Sequence, residues 1–444
     1  MRKRLNPSQV LILGFFSFIL VGALLLMLPF STTSGISFVE AVFTSTSAVC
    51  VTGLVVKDTP NDFTLFGQII IMLLIQLGGL GYMTSATIIS LMIGKRIGLG
   101  ERLIMKDALN VLDLEGVVKF TKAVLLTTLI FETTGALLLF IRFSYDFPLI
   151  KALYYGIFHA VSAFNNAGFS LFSDNLMRYR GDIIVNMVIT FLIIIGGIGF
   201  IVISDCYNLY TKKVMRFSTH TKIVIVTTGF LIIAGTFVIF FLEYQNPKTF
   251  LTMPLKESVM SSYFSSVTPR TAGFNTIDYS LVRPETLLFI TLLMFIGASP
   301  GSTGGGVKTT TIAIAYAGLL STIRNMRDTV IFKRRIPIEL VSKSLLLIIF
   351  ALLLILVISS LVIRIEHTYY LPTLFEVTSA FGTVGLSVGD GGVRSLSALF
   401  SDPGKLLVSL MMFIGRLGPL TLAVAVISKK EMRFRYPEGR VVIG

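Results

Sequence analysis

Four stretches of this chain, 10–28, 66–93, 183–203 and 345–363, run the length of a membrane crossing without one charged residue. A helix needs about 20 apolar residues to cross the hydrocarbon layer. Lipid offers backbone N–H and C=O groups no partner, so such stretches must satisfy them internally, as helices. The rest of the chain agrees. Apolar residues make up 54% of its 444 positions and charged residues 14%, against about 25% charged in an ordinary soluble domain. The polar gaps are too short for a soluble domain. The spacing predicts an all-α membrane protein.

The formal charge of +14 is not one patch. Of the 38 Lys and Arg residues, 24 fall in five blocks at 2–4, 95–122, 212–222, 324–343 and 429–440. The positive-inside bias assigns these blocks to the cytoplasm. Both termini are then cytoplasmic and the number of crossings even. Basic residues split by membrane spans do not form a nucleic-acid surface. The first apolar run is too long for a signal peptide core and lacks a small-residue cleavage site, so it is expected to stay as the first helix. Cys50 and Cys206 make no disulfide framework, and the three His residues form no metal-binding spacing with them.

Four short segments align without gaps on a glycine: FTSTSAVCVTGL at 43–54, FHAVSAFNNAGF at 158–169, YFSSVTPRTAGF at 263–274 and FEVTSAFGTVGL at 375–386. Their glycines are Gly53, Gly168, Gly273 and Gly385, each ten positions after an aromatic residue. A long apolar span precedes each segment, near 10–29, 121–142, 222–242 and 343–363. A second follows, near 64–93, 182–204, 286–318 and 404–427. Each segment is too short to cross. The pattern predicts four units of span, pore loop and span, hence eight crossings and four re-entrant helices around one central pore. The units are 1–93, 94–210 with its preceding cytoplasmic loop, 211–320 and 321–428, followed by a cytoplasmic tail at 429–444.

Irregular backbone at membrane depth is tolerated only where it lines a water-filled path. Glycine tolerates the backbone angles needed to turn carbonyls toward one axis. Rings of carbonyls can replace a cation's hydration shell, and the negative ends of the descending helices favour a cation below them. A cation filter follows from these segments. Asp58, Asp62, Asp146, Asp174, Asp278 and Asp390 could add attraction at the entrance, or be ordinary solvated loop residues.

At these residues the chain resembles the Ktr/Trk/HKT superfamily of potassium transporters, and within it the KtrB-type bacterial membrane subunits. The matches are CVTGL at 50–54, AFNNAGFS at 163–170, VTPRTAGFN at 267–275 and SAFGTVGL at 379–386. IQLGGLGYMT at 75–84, GGIGF at 196–200 and FIGRLGPLT at 413–421 add to them. The resemblance implies potassium uptake through a filter at the four glycines. Its carbonyls would come from Val51 and Thr52, Asn166 and Ala167, Thr271 and Ala272, and Thr383 and Val384. Some sodium-preferring plant relatives carry Ser at the first loop position; Gly53 favours potassium. No loop reads TVGYG, so some sodium passage is compatible with the pattern.

The second span of the third unit contains Gly297, Ala298, Ser299, Pro300, Gly301, Ser302, Thr303, Gly304, Gly305 and Gly306, then Val307 and Lys308. Proline and glycines here break a helix in mid-membrane. The family has a gating loop at this position. It also has an arginine in the last span that projects into the pore below the filter, here Arg416. A mid-span charge costs about 2.5–3.5 kcal/mol on insertion scales, so it faces a cavity, snorkels, or pairs with an acid such as Glu132. Lys308, nearer the cytoplasm, either joins the gate or snorkels. GSTGGGVKTT is not a nucleotide P-loop, because Val307 stands where the motif needs Gly before Lys and no strand precedes it.

The resemblance further implies a homodimer with one pore per subunit, a cytoplasmic RCK-type nucleotide-binding regulatory ring, K+ as the bound ion and Na+ as a possible activator. The basic blocks could meet that ring or membrane lipid. A transporter built on two inverted repeats is the first rival, but four units of two crossings share one topology. An enzyme is the second. His159, Glu376 and Cys50 form no nucleophile, base and orienter set, so no enzymatic activity is expected.

Overall fold

The computed structural model describes residues 7–81, 117–389, 391 and 393–418. The chain enters as α1 (Pro7–Leu26), then turns back through α2 (Phe38–Val49), the single-turn α3 (Thr59–Asp62) and α4 (Leu65–Leu80). Next come α5 (Val117–Phe143), α6 (Leu149–Phe164), α7 (Ile183–Ile198) and α8 (Phe200–Tyr210). They are followed by α9 (Thr219–Glu243), α10 (Leu255–Val267), α11 (Pro284–Phe295) and α12 (Thr309–Ile323). A hairpin of β1 (Thr329–Ile331) and β2 (Arg334–Ile336) leads to α13 (Ile338–Glu366), α14 (Tyr370–Gly382) and α15 (Asp402–Leu417).

Four of these helices, α1, α5, α9 and α13, are long and apolar enough to cross a membrane alone. No more than a third of each span is buried inside the protein. A helix apolar on all sides with most of its surface uncovered suits lipid on its outer face. The four aligned segments occupy α2, α6, α10 and α14 with the turns after them. Each is too short to span about 30 Å, and their C-terminal halves are buried. α2 starts at a capping box: the Ser37 hydroxyl accepts from the Glu40 amide, and the Glu40 carboxylate accepts from the Ser37 amide. The core gathers around these short helices, with Phe43, Phe158, Phe264 and Phe375 fully buried. In the third segment the buried ring is therefore Phe264, not the aligned Tyr263, which is only part-buried.

The second spans differ from expectation. They are not continuous helices broken only in the third unit. α4 ends at Gly81, and α7 and α8 meet at 96° around Gly199. α15 ends at Gly418. All three glycines have φ between 82° and 95° and ψ near that of a strand. L-residues resist this region, so the helix must stop there. The motifs GGLGY, GGIGF and GRLGP mark these stops, and the third unit replaces a single glycine with a whole loop. The remainder of the expected spans at 82–93 and 419–427 lies outside the described residues.

Gly199 makes a prediction. A methyl group there would stand 2.5 Å from the Pro300 carbonyl at a φ of +95°. Gly199→Ala should cost about 1–3 kcal/mol and lower the unfolding midpoint of the detergent-solubilised protein. An unchanged midpoint would argue against a strained hinge.

The basic block at 324–343 is not all loop. Val330 pairs with Arg335 across the hairpin, and its turn residues Phe332 and Lys333 sit at φ of 49° and 61°. Two positive φ values are what a two-residue hairpin turn requires. The sequence offered no Asn-Gly or Asp-Gly signal. The expected unit boundary at 320 falls inside α12, which runs on to Ile323.

Candidate functional site

The turns after α2, α6, α10 and α14 share one backbone pattern. Val51, Asn166, Thr271 and Thr383 have φ between 50° and 73°, and the glycines two positions later have φ between 71° and 91°. The residue between them is not in the left-handed region. Alternating handedness turns successive peptide planes so that their carbonyls face the same side.

The four turns close into a ring. A methyl group added to Gly53 would lie 2.5 Å from the Ala167 carbonyl oxygen, one on Gly168 2.7 Å from that of Ala272, and one on Gly273 2.6 Å from that of Val384. One on Gly385 would collide with the Thr52 carbonyl, which completes the circuit. Each glycine thus lies against the carbonyl that precedes the next glycine, in the order first, second, third, fourth, first. A methyl on Gly273 would also stand 3.2 Å from the Thr52 oxygen of the opposite turn. The opening is therefore narrow enough for one side-chain carbon to obstruct it. The expected carbonyl donors Thr52, Ala167, Ala272 and Val384 meet here.

Each turn is tied to the end of its own helix. The amides of Thr52, Ala167 and Val384 donate to the Ser47, Ser162 and Ser379 carbonyls at 2.8 Å, and that of Ala272 donates to Thr268 at 2.9 Å. The Ser47 and Ser379 hydroxyls accept from the amides of Gly53 and Gly385. The hydroxyls of Ser162 and Thr268 donate to the carbonyls of Phe169 and Phe274. The sequence reading missed these four hydroxyls, which brace the candidate site. Their signal was present, a serine six positions before the glycine in three segments. In the third the tie moves one place, to Thr268, as the buried aromatic does. With the amides engaged toward the helix ends, the carbonyls remain for the axis.

On one side of the ring lies the loop 297–308. Its Ser299 and Thr303 amides donate to the Gly197 and Gly196 carbonyls at 3.0 and 3.3 Å, and the Phe200 amide donates to Gly301 at 2.9 Å. The Gly306 amide donates to the Gly415 carbonyl at 3.3 Å. The loop also touches the underside of the ring. The Gly305 amide donates to the Thr383 hydroxyl at 2.9 Å, and the Thr303 hydroxyl to the Asn166 side-chain oxygen at 3.3 Å. A methyl on Gly304 would collide with the Thr271 hydroxyl. Three of the four residues that begin the ring turns thus rest on this loop. Ala298 and Ser299 are fully buried, and Pro300 and Ser302 half-buried.

Arg416, on the last turn of α15, reaches this loop. Its guanidinium donates to the Thr303 carbonyl and to the Gly78 carbonyl, with Gly79 at 3.3 Å. Gly78 and Gly79 lie in the last turn of α4, at the negative end of its helix dipole, where the Gly78 carbonyl otherwise accepts only from the capping Gly81 amide at 3.1 Å. One cation therefore joins α15, the loop and α4. It does not pair with Glu132, which accepts from the Asn165 side-chain amide at 2.8 Å; that amide also donates to Gln76. Lys308 does not reach away from the loop but folds back onto it, donating to the Gly304 carbonyl at 2.7 Å.

On the other side of the ring a vestibule is lined by all four glycines and by Asp58, Ser170, Asn175, Asn275, Ser387 and Arg394. Of the expected entrance acids among the described residues, Asp58 lines it and accepts from Ser173 at 2.7 Å. Asp62 accepts from the Asp58 amide, Asp146 pairs with Arg142 and Asp174 with Arg178, and Asp278 caps a turn through the Ser280 amide. The hydrogen bond with Asp174 raises the Arg178 guanidinium above its ordinary pKa. Asp390 lies outside the described residues.

Comparison with known proteins follows the same outline. The model of the TrkH family, described as a cation transport protein, matches residues 5–436. The Ktr system potassium uptake protein B of Bacillus subtilis (strain 168) is 44% identical over 442 residues, covering 99% of this chain and 97% of that protein. The potassium/sodium uptake protein NtpJ of Enterococcus hirae is 37% identical over 453 residues, covering 100% of this chain and 98% of that protein. The crystal structure of the potassium transporter TrkH from Vibrio parahaemolyticus shares the fold, with a TM-score of 0.73 at 19% identity over 96% of this chain and 86% of that one.

Proposed function

This chain belongs to the TrkH family of cation transport proteins, and on that premise we propose that it takes potassium into the cell through the ring of four glycine turns. The observation that carries this reading is the closed circuit of glycine and carbonyl contacts. Four span–loop–span units surround one pore. A potassium ion sheds water in the vestibule and is held in the ring by the carbonyls of Val51, Thr52, Asn166, Ala167, Thr271, Ala272, Thr383 and Val384. The loop 297–308 lies across the path below and is the gate. Arg416 locks it and adds a positive barrier to the departing cation.

A less selective potassium and sodium pathway is the second reading, favoured by the absence of a TVGYG sequence in any of the turns and by the printed name of the Enterococcus relative. The Bacillus relative is named as part of a Ktr system, which fits a chain that works with a partner. On that basis we extend to this protein a homodimer, a cytoplasmic nucleotide-binding regulatory ring and stimulation by sodium.

The test is uptake. Expressed in cells that lack their own potassium uptake, the protein should restore growth at low potassium and saturable rubidium uptake. Abundant membrane protein without uptake, in the presence and absence of sodium, would sink the reading.

A further inference from the structure

Two fully buried ionisable residues lie behind the ring, and neither the pore nor the gate accounts for them. His159 and Glu376 occupy the same place in their segments, one position after the buried aromatic. Each takes hold of the residue two positions beyond its own filter glycine, which is a serine in both turns.

His159 Nδ1 lies 2.7 Å from the Tyr155 carbonyl. A carbonyl only accepts, so Nδ1 carries the proton and Nε2 is bare. Nε2 then accepts from the Ser170 hydroxyl at 3.0 Å and the Leu171 amide at 3.4 Å. Ser170 accepts in turn from the Phe172 amide, and the turn continues to Asn175. From there the chain crosses to the third loop. The Asn275 amide donates to the Asn175 side chain at 3.4 Å, and the Leu176 amide donates to the Asn275 carbonyl at 3.1 Å. Asn275 is the residue two beyond Gly273.

Glu376 repeats the arrangement with different chemistry. Its carboxylate accepts from the Ser387 hydroxyl at 2.5 Å, and from the Ser397 hydroxyl and amide at 2.5 and 3.0 Å. Ser387 accepts from the Leu396 amide at 2.7 Å. The neighbouring Ser395 crosses to the first loop: its hydroxyl accepts from the Val55 amide at 2.8 Å and its amide donates to the Val55 carbonyl at 2.9 Å. Val55 is the residue two beyond Gly53.

We propose that His159 and Glu376 are positioning residues that clamp the four loops as two pairs, second with third and fourth with first, and so set the width of the ring. The ring then has the support of a two-fold scaffold behind a four-fold opening. This rests on the filter reading above. Buried polar chains of this kind hold a site only when every member is satisfied.

The test reads the preference for potassium over sodium in rubidium and sodium uptake, at matched membrane abundance. Glu376→Ala should lower that preference about tenfold, the loss expected when a charge-assisted anchor is removed. Glu376→Gln should restore most of it, because one amide oxygen can still accept from Ser397. His159→Phe keeps the ring that stacks on Phe172 at 4.7 Å but removes the acceptor, and should also lower the preference. The pattern of combination is decisive, since bonds in one chain do not add while separate chains do. Ser395→Ala added to Glu376→Ala should cost nothing further, whereas His159→Phe added to it should multiply the loss. Ser395→Ala alone, a small change, carries the same test should Glu376→Ala fail to reach the membrane. If these variants keep the wild-type preference while Gly53→Ser lowers it, the clamps are wrong and the filter stands. If Gly53→Ser also has no effect, the filter reading fails and the clamps fall with it.

Discussion

Arg416→Gln is expected to raise cation flux tenfold or more. The guanidinium ties α15 and the loop carbonyl of Thr303 to the last carbonyls of α4. Glutamine is shorter, neutral and carries one amide, so it can keep at most part of this set. A charge-assisted hydrogen bond contributes about 1.5–3 kcal/mol. Losing one such bond shifts a closed-to-open equilibrium by about tenfold to a hundredfold. On the proposed reading, the substitution also removes a positive charge from the path below the ring. Shortening 301–306 should raise flux further, because it removes the loop contacts to Gly196, Thr383 and Gly415 along with the one to Arg416. Rubidium uptake into cells without other uptake systems measures both. Flux at or below the wild-type value, with the protein normally present in the membrane, would rule out the gate assignment.

Gly53→Ser is expected to reduce the preference for potassium over sodium by about tenfold, a shift of roughly 1.4 kcal/mol between the two ions. Gly53 has a φ of +91°, where a side chain is strained, and its Cβ would press on the Ala167 carbonyl of the next loop. That carbonyl belongs to the ring, so the strain is relieved by moving a candidate ion ligand. Competition between sodium and rubidium during uptake reads the ratio. An unaltered ratio would count heavily against the ring as the filter. The effect should not be confined to the first loop, since each glycine abuts the following loop's carbonyl.

The glycines could be found because a shared backbone demand leaves a shared residue. Gly53, Gly168, Gly273 and Gly385 all need positive φ, and no other residue meets that need without strain. The loop at 297–308 was visible for the same reason, through proline and clustered glycine in an apolar span. Residues whose role depends on a partner remote in the chain were not legible. Arg416 could be marked as a costly charge, but nothing near it in sequence named Thr303 or Gly78. Glu132 stood as its possible partner and instead serves Asn165. The breaks at Gly81, Gly199 and Gly418 were read through as membrane helix. A single glycine costs a helix only about 1 kcal/mol, too little to separate a stop from a tolerated interruption. The hairpin at 329–336 had no turn signal at Phe332 and Lys333.

By itself the sequence determined that this chain lives in lipid, that four short segments repeat and that each ends on a glycine. Those facts follow from local demands: hydrocarbon length, backbone satisfaction and the φ angle of one residue. Only the tertiary structure decided that the four turns close into a ring in chain order, that the loop 297–308 lies beneath it, and that Arg416 ties that loop to α4. The reason is that a ring of carbonyls is made by distance between turns more than a hundred residues apart. Distances of that kind are set by how the helices pack, and no local pattern encodes them.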